Sequence, residues 1–206
     1  MFFFKSEDKT IPYFSDPDVR LMLEFQKGSK EAFETLMRKN YPFLLNFIYR
    51  YTGDKATAED LTQEVFIRVY KSASTYVPRA QFKTWLYKIA RNTSLNELRR
   101  YKYRAVSLNT TIEIDGEQIP RQIEDKKIRR PDEILIHSET VQAVKRAIYA
   151  LPERQRVVII LRRYEGFSYQ EIARTMKISE KAVKSLLSRA RENLKNALSC
   201  LIHGQK

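Results

Sequence analysis

The sequence predicts an all-α fold: two small helical domains joined by a flexible linker, the second built on a helix-turn-helix. Three observations carry that expectation. Apolar residues recur three and four positions apart through residues 16–104 and again from residue 134 onward, which is the period of a helix face. Residues 105–133, "AVSLNTTIEIDGEQIPRQIEDKKIRRPDE", interrupt the pattern with Gly116, Pro120 and Pro131, few large apolar side chains and charges of both signs, as a linker does. A length of 206 residues with 43% hydrophobic content fits one domain or two small ones, since single cores usually run to about 100–150 residues. The expected boundaries are 1–104, 105–133 and 134–206.

Asp16-Pro17 is a helix-start signal. Leu21, Leu23 and Phe25 follow at helical spacing, then Phe33, Leu36, Met37, Leu44, Leu45, Ile48 and Tyr49, with Gly28 and Gly53 as punctuation. A third helix, "AEDLTQEVFIRVYKSAS", puts Leu61, Val65, Phe66 and Val69 on one stripe and Asp60, Gln63, Glu64 and Arg68 mostly off it. The loop "STYVPRAQ" leads into a fourth helix, "FKTWLYKIARNTSLNELRRYKYR". Inside the linker, Asp115-Gly116 suits the turn of a small hairpin.

The second block begins with the helix "IHSETVQAVKRAIYAL". A second helix, "LPERQRVVIILRRYEG", tolerates Pro152 in its first turn and has Gly166 to stop it. Ser168 with Glu171 three residues on is a capping box, so a third helix starts there. Ala173, a tight turn at Met176 to Ile178, then Val183 and Leu186 make the helix-turn-helix spacing, in which a small residue lets the second helix cross closely, with Ala173, Ile178, Val183 and Leu187 as its buried hinge. The turn position favours Gly for its left-handed backbone; Lys177 stands there instead, at a cost of about 1 kcal/mol.

With those apolar residues turned inward, the outer face of the last helix carries Ser179, Glu180, Lys181, Lys184, Ser185, Ser188, Arg189 and Arg191. Arg and Lys pair with phosphates or guanine edges, Ser donates to either, and Ser179 as N-cap leaves free amides near a phosphate chain. The net charge of +13 also asks for a polyanion, nucleic acid before an anionic membrane surface, although charge alone suits a solvated Lys-rich face as well. On the fourth helix Lys83, Lys88, Arg91, Asn92, Asn96, Arg99 and Arg100 are interleaved with aromatic residues, the pairing that holds single-stranded nucleic acid by phosphate contact and base stacking. Trp85 shares a stripe with Leu86, Ile89 and Ala90 and reads as core. Asp60, Gln63 and Glu64 do not suit a phosphate chain; a protein-binding face and a solvated helix N-terminus fit them equally.

Cys200 is alone and the only histidines are His137 and His203, so no intrachain disulfide and no Cys/His metal cluster is expected, and a reducing cytoplasmic setting fits. The N-terminal "MFFF" is too short an apolar run for a signal peptide, and no segment approaches the roughly 18 apolar residues of a membrane helix. Neither a Gly-rich phosphate loop nor a clustered His or carboxylate pair is present. No cofactor and no catalysis are expected.

Taken together, "AEDLTQEVFIRVYKSASTY", "FKTWLYKIARNTSLNELRR" and, after the linker, "LPERQRVVIILRRYEGFSYQEIARTMKISEKAVKSLLSRARENLK" closely resemble the extracytoplasmic-function (group IV) sigma factors of bacterial RNA polymerase. The resemblance covers about Asp16 to Leu198. It implies that Asp60, Gln63 and Glu64 dock on core RNA polymerase, and that Ser72 to Gln81 with the helix after it melts and captures the downstream promoter element. It implies that the helix from Ser179 reads the upstream element as duplex, through Ser179, Lys181, Lys184, Ser185, Ser188 and Arg189. An anti-sigma factor is implied as a further partner, with no insertion of the chain into a membrane. Ala182 and Leu186 depart from the family's usual "TVKSRL". The rival readings are a stand-alone helix-turn-helix regulator, which leaves the acidic face unexplained, and an enzyme such as a recombinase.

Overall fold

The computed structural model describes residues 13–108 and 131–199, with side chains for 13–101 and 140–199. Among them eight α-helices and one 3-10 turn form the expected all-α architecture: α1 Pro17–Gln26, α2 Lys30–Thr52, α3 Lys55–Lys71, the 3-10 turn Ala73–Thr75, α4 Phe82–Leu108, α5 Pro131–Ala150, α6 Glu153–Arg163, α7 Tyr169–Met176 and α8 Glu180–Ala197.

Local chemistry explains where the first-domain helices begin and end. Asp16 caps α1 by accepting the Asp18 N–H on Oδ1 at 2.9 Å. Its other oxygen accepts the Phe82 N–H, also at 2.9 Å, so one carboxylate ties the starts of α1 and α4 together. Ser29 caps α2 and Asp54 caps α3, where the Thr57 N–H holds the Asp54 carboxyl below the usual carboxylate range. Gly53 ends α2 at φ 85°. The left-handed backbone favours glycine, and a Cβ there would lie 2.3 Å from the Tyr149 ring and displace it.

The helices bury Leu36, Leu44, Phe47, Ile48 and Tyr51 from α2 against Leu61, Val65, Phe66 and Val69 from α3 and Phe82, Leu86, Tyr87 and Ala90 from α4. On α1 the buried apolar residues are Val19 and Met22, while the expected Leu21 and Leu23 on either side of Met22 are only half-buried; Met37 faces solvent. Asp18 is buried in an otherwise apolar seam because Lys39 Nζ donates to it at 2.6 Å and Asn40 Nδ2 at 3.2 Å.

α4 runs on to Leu108 and α5 opens at Pro131, both inside the segment expected to be linker. Residues 98–108 contain no Gly or Pro to stop the helix, and Pro131 sits at a first-turn position that proline favours. The hairpin expected at Asp115-Gly116 lies outside the described residues.

The second domain packs Val157, Val158, Ile160 and Leu161 of α6 with Ile172 of α7 and Val183, Leu187 and Ala190 of α8. Its two halves of the helix-turn-helix begin on Ser caps. The Ser168 hydroxyl accepts the Glu171 N–H at 3.2 Å while the Glu171 carboxylate accepts the Ser168 N–H at 2.7 Å, the reciprocal box expected from the sequence.

The two domains do not stand apart. α2 packs on α6 and α4 on α7. A run of rings crosses the boundary: Tyr51 to Phe47 at 6.2 Å between centroids, Phe47 to Tyr87 at 4.9 Å and Tyr87 to Phe167 at 5.1 Å.

Candidate nucleic-acid and protein interfaces

Between α7 and α8 the chain reverses at Lys177, which adopts φ 54° and ψ 50°, the left-handed conformation expected at that position. The Lys177 and Ile178 amides both donate to the Ala173 carbonyl, closing α7. Val183, Leu187 and Ala190 then turn α8 toward the core. Ser179, Lys181, Lys184, Ser188 and Arg189 are on the other side, Lys181, Lys184, Ser188 and Arg189 exposed with Ser179 at their head, while Ser185 is half-buried. The Ser179 oxygen accepts the Ala182 N–H at 3.2 Å, so its own O–H is the group left to donate to a phosphate. The result is a rigid helix with a basic, hydroxyl-rich outer face.

A cleft of about 620 Å³ opens on the first domain, between the segment Ser72 to Ala80 and the outer face of α4. Gln26 of α1 fixes that segment by donating to the Ser74 and Tyr76 carbonyls at 3.2 Å each. Trp85, expected in the core, is half-buried and lines the cleft, packed on Tyr76 at 4.8 Å and Phe82 at 5.6 Å between centroids. Lys88 and Asn92 stand on the same wall. Burial, and then the Asp16 charge, push the Tyr76 phenol well above its ordinary range, so it remains a neutral O–H. That hydroxyl is buried with no hydrogen-bond partner. Rings, a cation and an amide around a cleft are chemically suited to an unstacked base on a phosphate chain.

The rest of the α4 set divides. Asn96, Arg99 and Arg100 are exposed, Arg100 pairing with Glu97 at 3.2 Å. Arg91 and Lys83, expected to face solvent, do not do so freely. The Arg91 side chain is 15% exposed and stands 3.7 Å from Glu153. Lys83 donates to the Glu165 carbonyl at 2.8 Å. Arg91 is largely covered by the second domain, whereas Lys83 is engaged by it but keeps 41% of its side chain exposed.

On α3, Asp60 and Gln63 are exposed, and Glu64 is half-buried in an i,i+4 pair with Arg68 at 2.5 Å. Ile67 and Tyr70, each 53% exposed, lie one to two turns further along the same side. Such a mixture of carboxylate, amide and uncovered apolar side chains suits a protein partner better than a phosphate chain. The sequence pattern does not single out Ile67 and Tyr70; their signal is an apolar residue standing off the buried stripe. Tyr76 and Trp85 are signalled only by aromatic density in and after the loop.

Among the described residues no group of three or more His, Cys, Asp or Glu side chains is placed to hold a metal ion, and no helix is long and apolar enough to cross a membrane.

Residues 36–104 match the family model for Sigma-70 region 2, and residues 141–194 that for Sigma-70, region 4. The chain is 34% identical over 187 residues to the RNA polymerase sigma-H factor of Pseudomonas aeruginosa, a match covering 91% of this chain and 96% of that one. It is also 34% identical over 187 residues to the ECF RNA polymerase sigma-E factor of Escherichia coli K12, covering 90% and 96%. Two solved structures share the fold. One is the sigma factor RpoE in complex with the anti-sigma factor NepR from Bartonella quintana, with TM-score 0.64 and 24% identity over 81% of this chain and 96% of that one. The other is CnrH in complex with the cytosolic domain of CnrY, with TM-score 0.63 and 22% identity over 93% of this chain and 100% of that one.

Proposed function

The chain belongs to the extracytoplasmic-function sigma factors of bacterial RNA polymerase, and on that premise we propose how its surfaces divide the work of starting transcription. It is an alternative sigma factor that binds core RNA polymerase and directs promoter-specific initiation. In the proposed division, residues 1–104 dock on core polymerase through Asp60, Gln63 and Glu64 and hold the melted downstream element along Lys83, Lys88, Arg91, Asn92, Asn96, Arg99 and Arg100. Residues 134–206 read the upstream element as duplex through the outer face of α8, and 105–133 join the two. The chain performs no catalysis and works in the cytoplasm beside the core enzyme. A cognate anti-sigma factor covers its polymerase-binding faces, a reading supported by the neighbours solved as complexes with such inhibitors.

One observation carries this division: a cleft walled by Trp85 and Lys88 and a basic recognition face on α8 occur in the same chain on different domains. Two weak contacts held at promoter spacing by polymerase become one strong contact through effective concentration. The free protein therefore binds duplex promoter poorly. Run-off transcription with core polymerase and a promoter library tests the proposal. Tight duplex binding by the chain alone, without any initiation from core enzyme, would leave it a stand-alone regulator. Replacing Asp60, Gln63 and Glu64 together by Ala should weaken core binding with the helical signal intact, and an unchanged affinity moves the docking face elsewhere.

A further inference from the structure

Two acidic side chains of a strongly basic protein lie against cations of α4. Glu153, at the start of α6, accepts the Tyr51 hydroxyl at 2.8 Å and stands 3.7 Å from Arg91. Glu165, after α6, accepts the Tyr87 hydroxyl at 2.5 Å and lies 3.9 Å from Lys83 Nζ, with its side chain only 5% exposed. Tyr51 and Tyr87 belong to the first domain's core, so each carboxylate is anchored on a buried phenol and flanked by a cation of α4. At the far end of the same boundary, Arg174 of α7 lines the cleft beside Trp85 and donates to the Tyr13 hydroxyl at 2.6 Å.

We propose that Glu153 and Glu165 form a clasp that holds the free chain shut, occupying on α4 the places that DNA phosphates take and seating Arg174 of the second domain at the wall of the cleft. The idea rests on the reading of α4 as a nucleic-acid face. An anionic oxygen hydrogen-bonded at the level of a cation is chemically what a backbone phosphate offers, so clasp and strand compete for Lys83 and Arg91. Closure and binding are then linked. The apparent affinity of the free chain for a single strand is its open-state affinity reduced by the fraction of chains that are open. Polymerase, by holding the domains apart, removes that reduction.

The test compares the full-length protein with its Glu153→Ala/Glu165→Ala variant, using small-angle scattering and the anisotropy of a labelled single-stranded oligonucleotide. Glu24→Ala/Glu34→Ala removes two acids of the first domain that lie outside the boundary and serves as the charge-matched control. The clasp variant should expand in radius of gyration and bind the strand about tenfold or more tightly than the control. Unchanged dimensions, or binding no tighter than the control, overturns the clasp. Should that variant lose its helical signal, Tyr51→Phe/Tyr87→Phe decides by the same two readouts, since it keeps the net charge and fills the same core space. Adding Lys88→Ala and Arg99→Ala to the opened chain separates the two ideas. If expansion persists and tighter binding is indifferent to those changes, closure stands as a fold property while α4 fails as the nucleic-acid face, and inhibition by the clasp fails with it.

Discussion

The two domains are made of different materials. In the first, rings touch one another throughout: Phe25 on Phe33 at 4.6 Å, Phe47 on Tyr87 at 4.9 Å, Tyr76 on Trp85 at 4.8 Å. In the second the interior is aliphatic, with Val157, Val158, Ile160, Leu161, Ile172, Val183 and Leu187 all buried. The aromatic domain has rings to spare at its surface, where they line a cleft. The second domain, whose buried rings are few, presents polar side chains on the outer face of α8. Stacking surfaces suit bases that have left the duplex, whereas a rigid helix suits an intact groove. On the proposed division of work, the difference in core composition carries through to which form of DNA each domain holds.

Phe47→Ala should destabilise the first domain most, by about 3–5 kcal/mol, with Ile160→Ala costing about 2–5 kcal/mol in the second. Urea melts followed by circular dichroism measure both. A single shared transition for either variant would mean that the ring contact across the boundary makes the two domains one cooperative unit, and two separate transitions would make them independent.

Next in size are the effects on DNA binding. Trp85→Ala should cost about 1–3 kcal/mol in binding a single strand in the polymerase complex. Lys184→Ala or Arg189→Ala should cost about 1–3 kcal/mol for each upstream base that the variant no longer reads. The contrast between the domains breaks if Trp85→Ala weakens upstream duplex binding as much as strand capture. A weakening at Lys184 or Arg189 that is equal over all sequences identifies a phosphate contact.

Smaller effects belong to helix ends. Lys177→Gly should stabilise the second domain by about 1 kcal/mol in denaturant melts, since glycine enters the left-handed region without the Cβ penalty. Asp54→Ala should cost the first domain about 1 kcal/mol by removing the cap. Folding lowers the Asp54 pKa, so its contribution is complete above the ordinary carboxylate range and is lost as pH falls through the folded value. Melts at about pH 7 and about pH 3 should show the gap between wild type and variant closing on the acid side.

What could be read in the sequence was local. The Ser168 box, the left-handed Lys177 and the inward Val183 and Leu187 each depend on neighbours within a few residues, and α3's buried stripe followed from period alone. The boundary between domains did not announce itself. Tyr51 meets Glu153 across 102 residues and Tyr87 meets Glu165 across 78, and no short-range pattern marks a carboxylate that a distant phenol will bury. Arg91 and Lys83 look solvated on an isolated helix, and only the second domain's acids reveal otherwise. The one-position offset on α1 has a similar origin: Leu21, Met22 and Leu23 are all apolar, and only the neighbouring helices decide which of them is covered.

On the proposed reading of the cleft, Asp16 ties a distant part of the chain to promoter handling. Its two oxygens hold the Asp18 and Phe82 amides, so the first turn of the chain's first described helix sets where α4 begins, and with it the angle at which Trp85 and Lys88 meet the cleft. A substitution there touches no nucleic acid. Asp16→Ala would surface in a genetic screen among alleles that misplace the melted strand, a defect of aim caused from outside the target.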